Sequence, residues 1–219
     1  MTNKLLILAF LFTALTTVNL SAQKLGIRAE YGAQSLSQES TYLISANRSI
    51  DYRIGTKSVT PSRSIGLYTK FDYGWLFFQP EFLYTTYDQT LEIESFSEEA
   101  RGIGVTEVTE NFQQFDIPLY AGIQYKFIKV GAGPVFHVGQ NIDSDIADFD
   151  NLEVRTTPIS AGFQTGLGID FKYFSLDLKY QRDFNQATDH IYFTDGNEAL
   201  SNKLSSFRVG VAFALGKNK

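Results

Sequence analysis

From Leu25 the chain alternates. Leu25, Ile27, Ala29, Tyr31 and Ala33 fall on one parity, and Gly26, Arg28, Glu30, Gly32 and Gln34 on the other. A two-residue period with one apolar and one polar side predicts a β-strand that faces two different media. The pattern returns seven times, with apolar positions running from Ile65 to Tyr73, Phe78 to Tyr84, Phe115 to Ile123, Ile128 to Val138, Phe163 to Phe171, Phe174 to Tyr180 and Phe207 to Leu215. Eight strands follow, an even number.

The connections alternate as well. Short ones fall near 73–75, 125–127 and 172–173, and long ones near 37–61, 88–111, 140–157 and 185–203. Short turns at one end and long loops at the other mark a transmembrane barrel with both termini on the turn side. The aromatics fit two interfacial girdles: Phe71, Tyr73, Tyr125, Phe127, Phe171, Tyr173 and Phe213 near the turns, and Tyr84, Phe115, Phe136, Phe163, Tyr180 and Phe207 toward the loops. The expected fold is all-β, an eight-stranded antiparallel up-and-down transmembrane β-barrel. A soluble lipocalin-like barrel would use the same alternation with its apolar side inward. The glycines and charges on the polar parity favour a narrow polar lumen instead.

Residues 1–22 read as a signal peptide and 23–219 as the barrel domain. Lys4 gives a positive start, Leu5 to Leu15 an apolar run too short to cross about 30 Å of hydrocarbon, and Leu20-Ser21-Ala22-Gln23 a cleavage site after Ala22. With no cysteine there is neither a lipid-anchoring thiol nor a disulfide. The formal charge of −5 becomes −6 once the leader's single Lys is removed, and that mild acidity excludes a nucleic-acid partner, which needs a basic face.

Eleven charges share the polar parity: Arg28, Glu30, Lys70, Asp72, Glu81, Asp116, Lys129, Asp170, Asp177, Lys179 and Arg208. An eight-stranded lumen is just wide enough for side chains to fill. Because buried charges must be paired, a self-satisfying plug is favoured over a proton path or narrow pore. Glu81 and Arg208 are expected to pair. His137 sits on the polar parity near the loop end, with Gly139 rather than a serine two positions on, and is expected to be a satisfied lumen residue rather than part of a hydrolytic set. His190 is a loop residue. The loops at 88–111 and 140–157 are acidic, and the run Asp143 to Asp150 lacks the glycine and distal glutamate of a calcium loop, so solvated loops are expected. Gly131, Gly133, Gly166 and Gly168 lie within strands and form no phosphate loop. No catalytic, cofactor-binding or metal-binding residue is assigned, and no cofactor.

Five segments carry a resemblance: Phe78-Gln79-Pro80-Glu81-Phe82-Leu83-Tyr84, Phe115-Asp116-Ile117-Pro118-Leu119, Val130-Gly131-Ala132-Gly133-Pro134, Gly166-Leu167-Gly168-Ile169-Asp170 and Leu176-Asp177-Leu178-Lys179-Tyr180. In this order, at strand spacing, the chain resembles the PorT-like outer-membrane β-barrel family over about residues 23 to 216. The resemblance implies a barrel exported to the outer membrane of a Gram-negative bacterium, with a loose tie to protein secretion. The expected function is non-enzymatic: a structural, interaction or surface-assembly role by a monomeric barrel, with outer-membrane lipid and envelope or secretion proteins as partners. A narrow channel and a lipid-modifying barrel enzyme are the alternatives.

Overall fold

The computed structural model describes residues 23–36, 41–44, 51–96, 103–143, 152–154, 159–186, 191–193 and 203–215. The expected leader, His190 and nearly all of the aspartate-rich run lie outside the described residues.

The alternation is expressed as β1 (Gln23–Leu36), β2 (Thr41–Ile44), β3 (Asp51–Val59), β4 (Ser62–Tyr73), β5 (Leu76–Phe96), β6 (Ile103–Tyr125), β7 (Ile128–Asp143), β8 (Leu152–Val154), β9 (Ile159–Asp170), β10 (Phe174–Gln186), β11 (Ile191–Phe193) and β12 (Lys203–Ala214). Eight of these close a ring. β1, β4, β5, β6, β7, β9, β10 and β12 each pair antiparallel with the next, and β12 pairs back to β1. Following paired residues once round from Gln23 leads through Phe71, Phe78, Ala121, Ala132, Thr165, Tyr180 and Phe207 to Ala33, a stagger of ten residues. Such a stagger tilts the strands by roughly 35–45° to the barrel axis. The expected short turns fall at 74–75, 126–127 and 172–173. Gly74 supplies the positive φ that its two-residue turn needs, whereas Lys126 takes φ 55° in the next hairpin at the cost reserved for a side chain there.

The exterior is apolar. Leu167, Val209 and Phe213 are 54%, 50% and 56% exposed, while Arg28 and Lys179 inside are 0% and 1% exposed. In water that distribution would be inverted; in a bilayer it is the required one. On β5 the apolar outer face runs from Phe78 to Tyr84 and turns polar at Thr86 and Asp88. On β6 it ends at Phe115, above which come Gln113 and Asn111. Leu76 to Tyr84 covers nine residues, close to the span of about 9–11 that a tilted strand needs to cross hydrocarbon.

The strands do not stop at that boundary, and here the expectation of a loop at 88–111 is corrected. β5 continues to Phe96 and β6 begins at Ile103, paired without a break from Leu83 opposite Asp116 to Phe96 opposite Ile103. β3, inside the expected loop at 37–61, pairs with Gln89 to Phe96 of β5, and β2 pairs with β3. This wall above the bilayer carries the opposite polarity. Its outer face shows Arg53, Glu92, Glu94 and Glu107, and its inner face buries Ile54, Leu91, Ile93 and Val108. Leu91, Ile93, Thr90, Glu92 and Glu94 do alternate, but with their apolar members on the parity that is polar below.

Within the bilayer the ladder is interrupted on three consecutive seams. Pairing is missing at 69–70 against 79–80, at 81–82 against 117–118, and at 119–120 against 133–134. Each gap holds a proline, Pro80, Pro118 or Pro134, which has no N–H to donate across it.

Candidate functional site

Every charge expected in the lumen is there, joined into one column from the turn-side mouth upward. At the mouth Lys70 pairs with Asp170 and, at 3.0 Å, with Asp72. Lys129 reaches Asp170 and Asp177, each at 2.9 Å, and donates to Ser175 Oγ at 2.8 Å. Arg28 stands at the centre. Its Nη1 donates to Asp177 at 2.6 Å, and its Nε donates to Glu30 at 2.6 Å and faces Glu81 at 3.3 Å. Lys179 closes the far side, 3.1 Å from Glu30 and 3.0 Å from Glu81.

Glycine makes room for this arrangement. A β-carbon on Gly210 would lie 2.5 Å from Arg28 Nη2, and one on Gly168 would lie 2.0 Å from Asp177 Oδ1. The lumen glycines are thus spaces into which ion pairs fold, as their parity implied.

The expected Glu81–Arg208 pair is not formed. Glu81 turns to Lys179, Arg28 and Gln79, while Arg208 lies one level higher, 3.2 Å from Asp116 and 3.8 Å from Glu30. The stagger of the ring explains the shift, because facing residues on β5 and β12 are set by the tilt and not by their parity.

Asp116 opens the top of the column. It accepts from Thr85 and Gln114, each at 2.7 Å, and from Arg208. His137 lies 2.6 Å from Asp116 through Nδ1 and 3.2 Å from Asp183 through Nε2, so the imidazole bridges two carboxylates. A bulge sits just above it. Two residues of β7, Gly139 and Gln140, oppose the single residue Gln114 of β6, and Gly139 carries φ 65°. Both ring nitrogens of His137 are engaged by acids, so the ring has no free nitrogen with which to activate a nucleophile. Ser160 is its cross-strand neighbour on β9, a proximity that the sequence reading, confined to positions along one strand, did not reach.

Directly above the column an apolar cluster crosses the lumen, with Gln89 and Glu110 buried beyond it. Tyr87 and Phe112 stack with ring centroids 4.8 Å apart and, with Leu204, form a buried cluster against which Val59 and Ile142 pack. Tyr87 stands three inward positions above Glu81 on the same strand. The cluster lids the charged column. Outside, the wall's charges meet water: Arg53 pairs with Glu94 at 3.3 Å, and Lys57 donates to Glu107. That hydrogen bond is the main reason the Lys57 ammonium is held above its ordinary pKa.

The arrangement can neutralise and fill a lumen; among the described residues no set of three or more His, Asp or Glu side chains converges as metal ligands would. No protein-family model and no curated protein matches the chain. Solved structures do. It is similar to Ail, the attachment invasion locus protein of Yersinia pestis, in complex with the heparin analogue sucrose octasulfate (TM-score 0.43, 10% identity, 88% of this chain and 99% of that one). It is also similar to the translocator domain of the autotransporter NalP from Neisseria meningitidis (TM-score 0.41, 13% identity, 96% and 95% covered). A third is the outer membrane protease OmpT from Escherichia coli (TM-score 0.41, 8% identity, 91% and 99% covered). The membrane placement rests not on these likenesses but on the chain's own apolar exterior and charged interior.

Proposed function

We propose that the chain is an integral protein of a Gram-negative outer membrane that acts without catalysis, as a closed barrel holding an interaction surface above the bilayer. One observation carries this reading: the lumen is filled from the mouth to His137 by paired charges and lidded by Tyr87, Phe112 and Leu204. A pore needs a path of water, and a charge column of this kind takes that space. Among the described residues, what remains available to partners is the wall of β3, β5 and β6, whose length exceeds what the bilayer needs. A surface-assembly or protein-secretion accessory role, as the PorT-like resemblance implies, fits such a wall, and the barrel itself works as a monomer.

Two measurements test this. The purified barrel in a planar bilayer should give no stable conductance, and steady single-channel openings would overturn the closed-barrel reading. Cross-linking on intact outer membranes should capture an envelope protein through the outer face of the wall, at positions such as Glu92. Loss of the gene with no change in any surface-protein secretion would remove the accessory role.

A narrow proton path is the second reading. It is favoured by the unbroken run of acids and bases from Asp72 to Asp183, each within 4 Å of the next. Proton flux into liposomes holding the purified barrel would support it.

A further inference from the structure

Most of the barrel's outer wall is a smooth apolar belt, but at the turn-side rim it is notched. A cleft of about 580 Å3 opens there between the β4–β5 hairpin and the end of β6, lined by Phe71, Tyr73, Leu76, Phe78, Ala121 and Ile123. Phe71 is drawn into the wall, only 8% exposed on a parity whose other members face outward, and it stacks on Phe78 at 6.2 Å. Apart from the Tyr73 hydroxyl, the side chains lining the cleft are apolar. Its upper end meets the seam where β4 and β5 lose their pairing at 69–70 against 79–80.

Below the cleft the rim is aromatic, and the next turn, between β6 and β7, carries a basic residue. Trp75 O accepts from Gln124 N at 2.8 Å, which holds the β4–β5 turn against the end of β6. Lys126 follows two residues later, exposed, with its ammonium 5.5 Å from the centre of the Tyr125 ring. Elsewhere on this rim Lys172 is exposed with its ammonium 5.2 Å from the Tyr173 ring, and Lys24 lies beside the mouth. The nearby acids Asp72 and Asp170 are turned toward Lys70 in the lumen. An apolar slot on a rim that carries exposed cations, at the depth of interfacial Trp and Tyr, complements a lipid with a hydrocarbon tail and an anionic head.

We propose that this cleft is a binding site for one anionic phospholipid of the leaflet on the turn side, its acyl chain lying against Phe71, Phe78 and Ala121 and its phosphate meeting Lys126. The proposal rests on the transmembrane reading of the barrel.

The test is native mass spectrometry of the full barrel released from nanodiscs holding equal phosphatidylglycerol and phosphatidylcholine. The wild type should carry one retained lipid, with phosphatidylglycerol preferred. Ala121→Trp, which fills the slot from the lipid side, should lose that lipid. Lys126→Glu should keep a lipid but reduce the preference for phosphatidylglycerol by about fivefold or more, the worth of one interfacial lysine against an anionic surface. A wild type with no retained lipid, or an Ala121→Trp variant with the wild-type lipid count, overturns the site. Unchanged head-group preference in Lys126→Glu overturns the assignment of the phosphate. Failure of the wild type to enter nanodiscs at all would instead overturn the membrane reading, so the two failures are distinguishable.

Discussion

β5 and β6 pass through two solvents, and the two halves of β5 are built to opposite rules, which β6 follows in part. Below Tyr84 and Phe115 the outer face is apolar and the inner face carries Gln79, Glu81 and Asp116. Above them the outer face carries Glu92, Glu94 and Glu107, and the inner face buries Leu91, Ile93 and Val108. The backbone pairing is the same register throughout. What inverts on β5 is which parity is apolar, while on β6 the inversion is partial, with Val105 exposed outward and Glu110 buried inward. The lower half is stable because lipid takes up its apolar face and ion pairs satisfy its lumen; the upper half is stable for the ordinary reason, burial of apolar area away from water. The outer girdle of Tyr84 and Phe115, packed at 5.5 Å, stands at the changeover.

The largest test of this contrast is in the lower half. Arg28 meets Asp177, Glu30 and Glu81 at full burial, so Arg28→Ala leaves three acids without their central partner. A loss of about 3–5 kcal/mol is expected, because the charges left behind are uncompensated. Urea unfolding in bilayers measures it, and a loss below 1 kcal/mol would mean that water already reaches the column. A matched pair on the outer parity comes next. Leu167→Arg, in the lipid belt, should cost about 2–4 kcal/mol, while Thr90→Arg, on the outer face of the wall above, should cost almost nothing. Equal costs at the two sites would show that the polarity boundary is misplaced. On the inner parity of the upper half, Leu91→Ala should cost about 2 kcal/mol, the low end for a core leucine, since one sheet edge can collapse into the space. The loss should appear as faster proteolysis of the wall with the barrel's heat-shifted gel migration unchanged.

How much of this could be read from the chain follows from the same inversion. The eight ring strands and three tight turns were legible because Leu25 to Ala33 and its counterparts hold a single parity rule from end to end. The membership of the lumen column was legible for the same reason as far as His137, but not Asp183, which lies beyond the alternation that ends at Tyr180. The wall at 88–96 and 103–111 was not. Its alternation is regular on β5 and looser on β6, and Glu92, Glu94 and Glu107 fall on the parity that is apolar below, so an acidic stretch with the wrong phase reads as a solvated loop. The partners inside the lumen were equally hidden. Period two tells which side a charge faces; it does not tell its height, which depends on the ten-residue stagger and the bulge at Gly139. Glu81 and Arg208 were therefore matched on sign alone and stand at different levels. Ser160 beside His137 was missed for the same reason, since cross-strand neighbours follow from register.

The smallest effect expected has the opposite sign, and it concerns the backbone. A carbonyl without a donor should be least tolerable in hydrocarbon, yet it is the lower half that carries interrupted seams, while β5 and β6 above the bilayer pair without a break. The three prolines lie on adjacent strands, with Leu119 paired to Pro80 on one side and facing the gap that holds Pro134 on the other. Pro134 is exposed on the outer face, so its replacement by valine adds an N–H to the gap without disturbing the charge column. If the missing donor is what opens the seam, Pro134→Val should stabilise the barrel by about 1 kcal/mol, the net worth of one hydrogen bond. The amide of Leu119 should then exchange more slowly with deuterium. A valine variant with unchanged stability and unchanged exchange at Leu119 would place the cause elsewhere, in the close approach of the Leu119 carbonyl to Gly133, where a β-carbon would lie only 1.9 Å away. In that case the seam is held open by the tilt of the wall around a glycine, and proline occupies a position where no donor was needed.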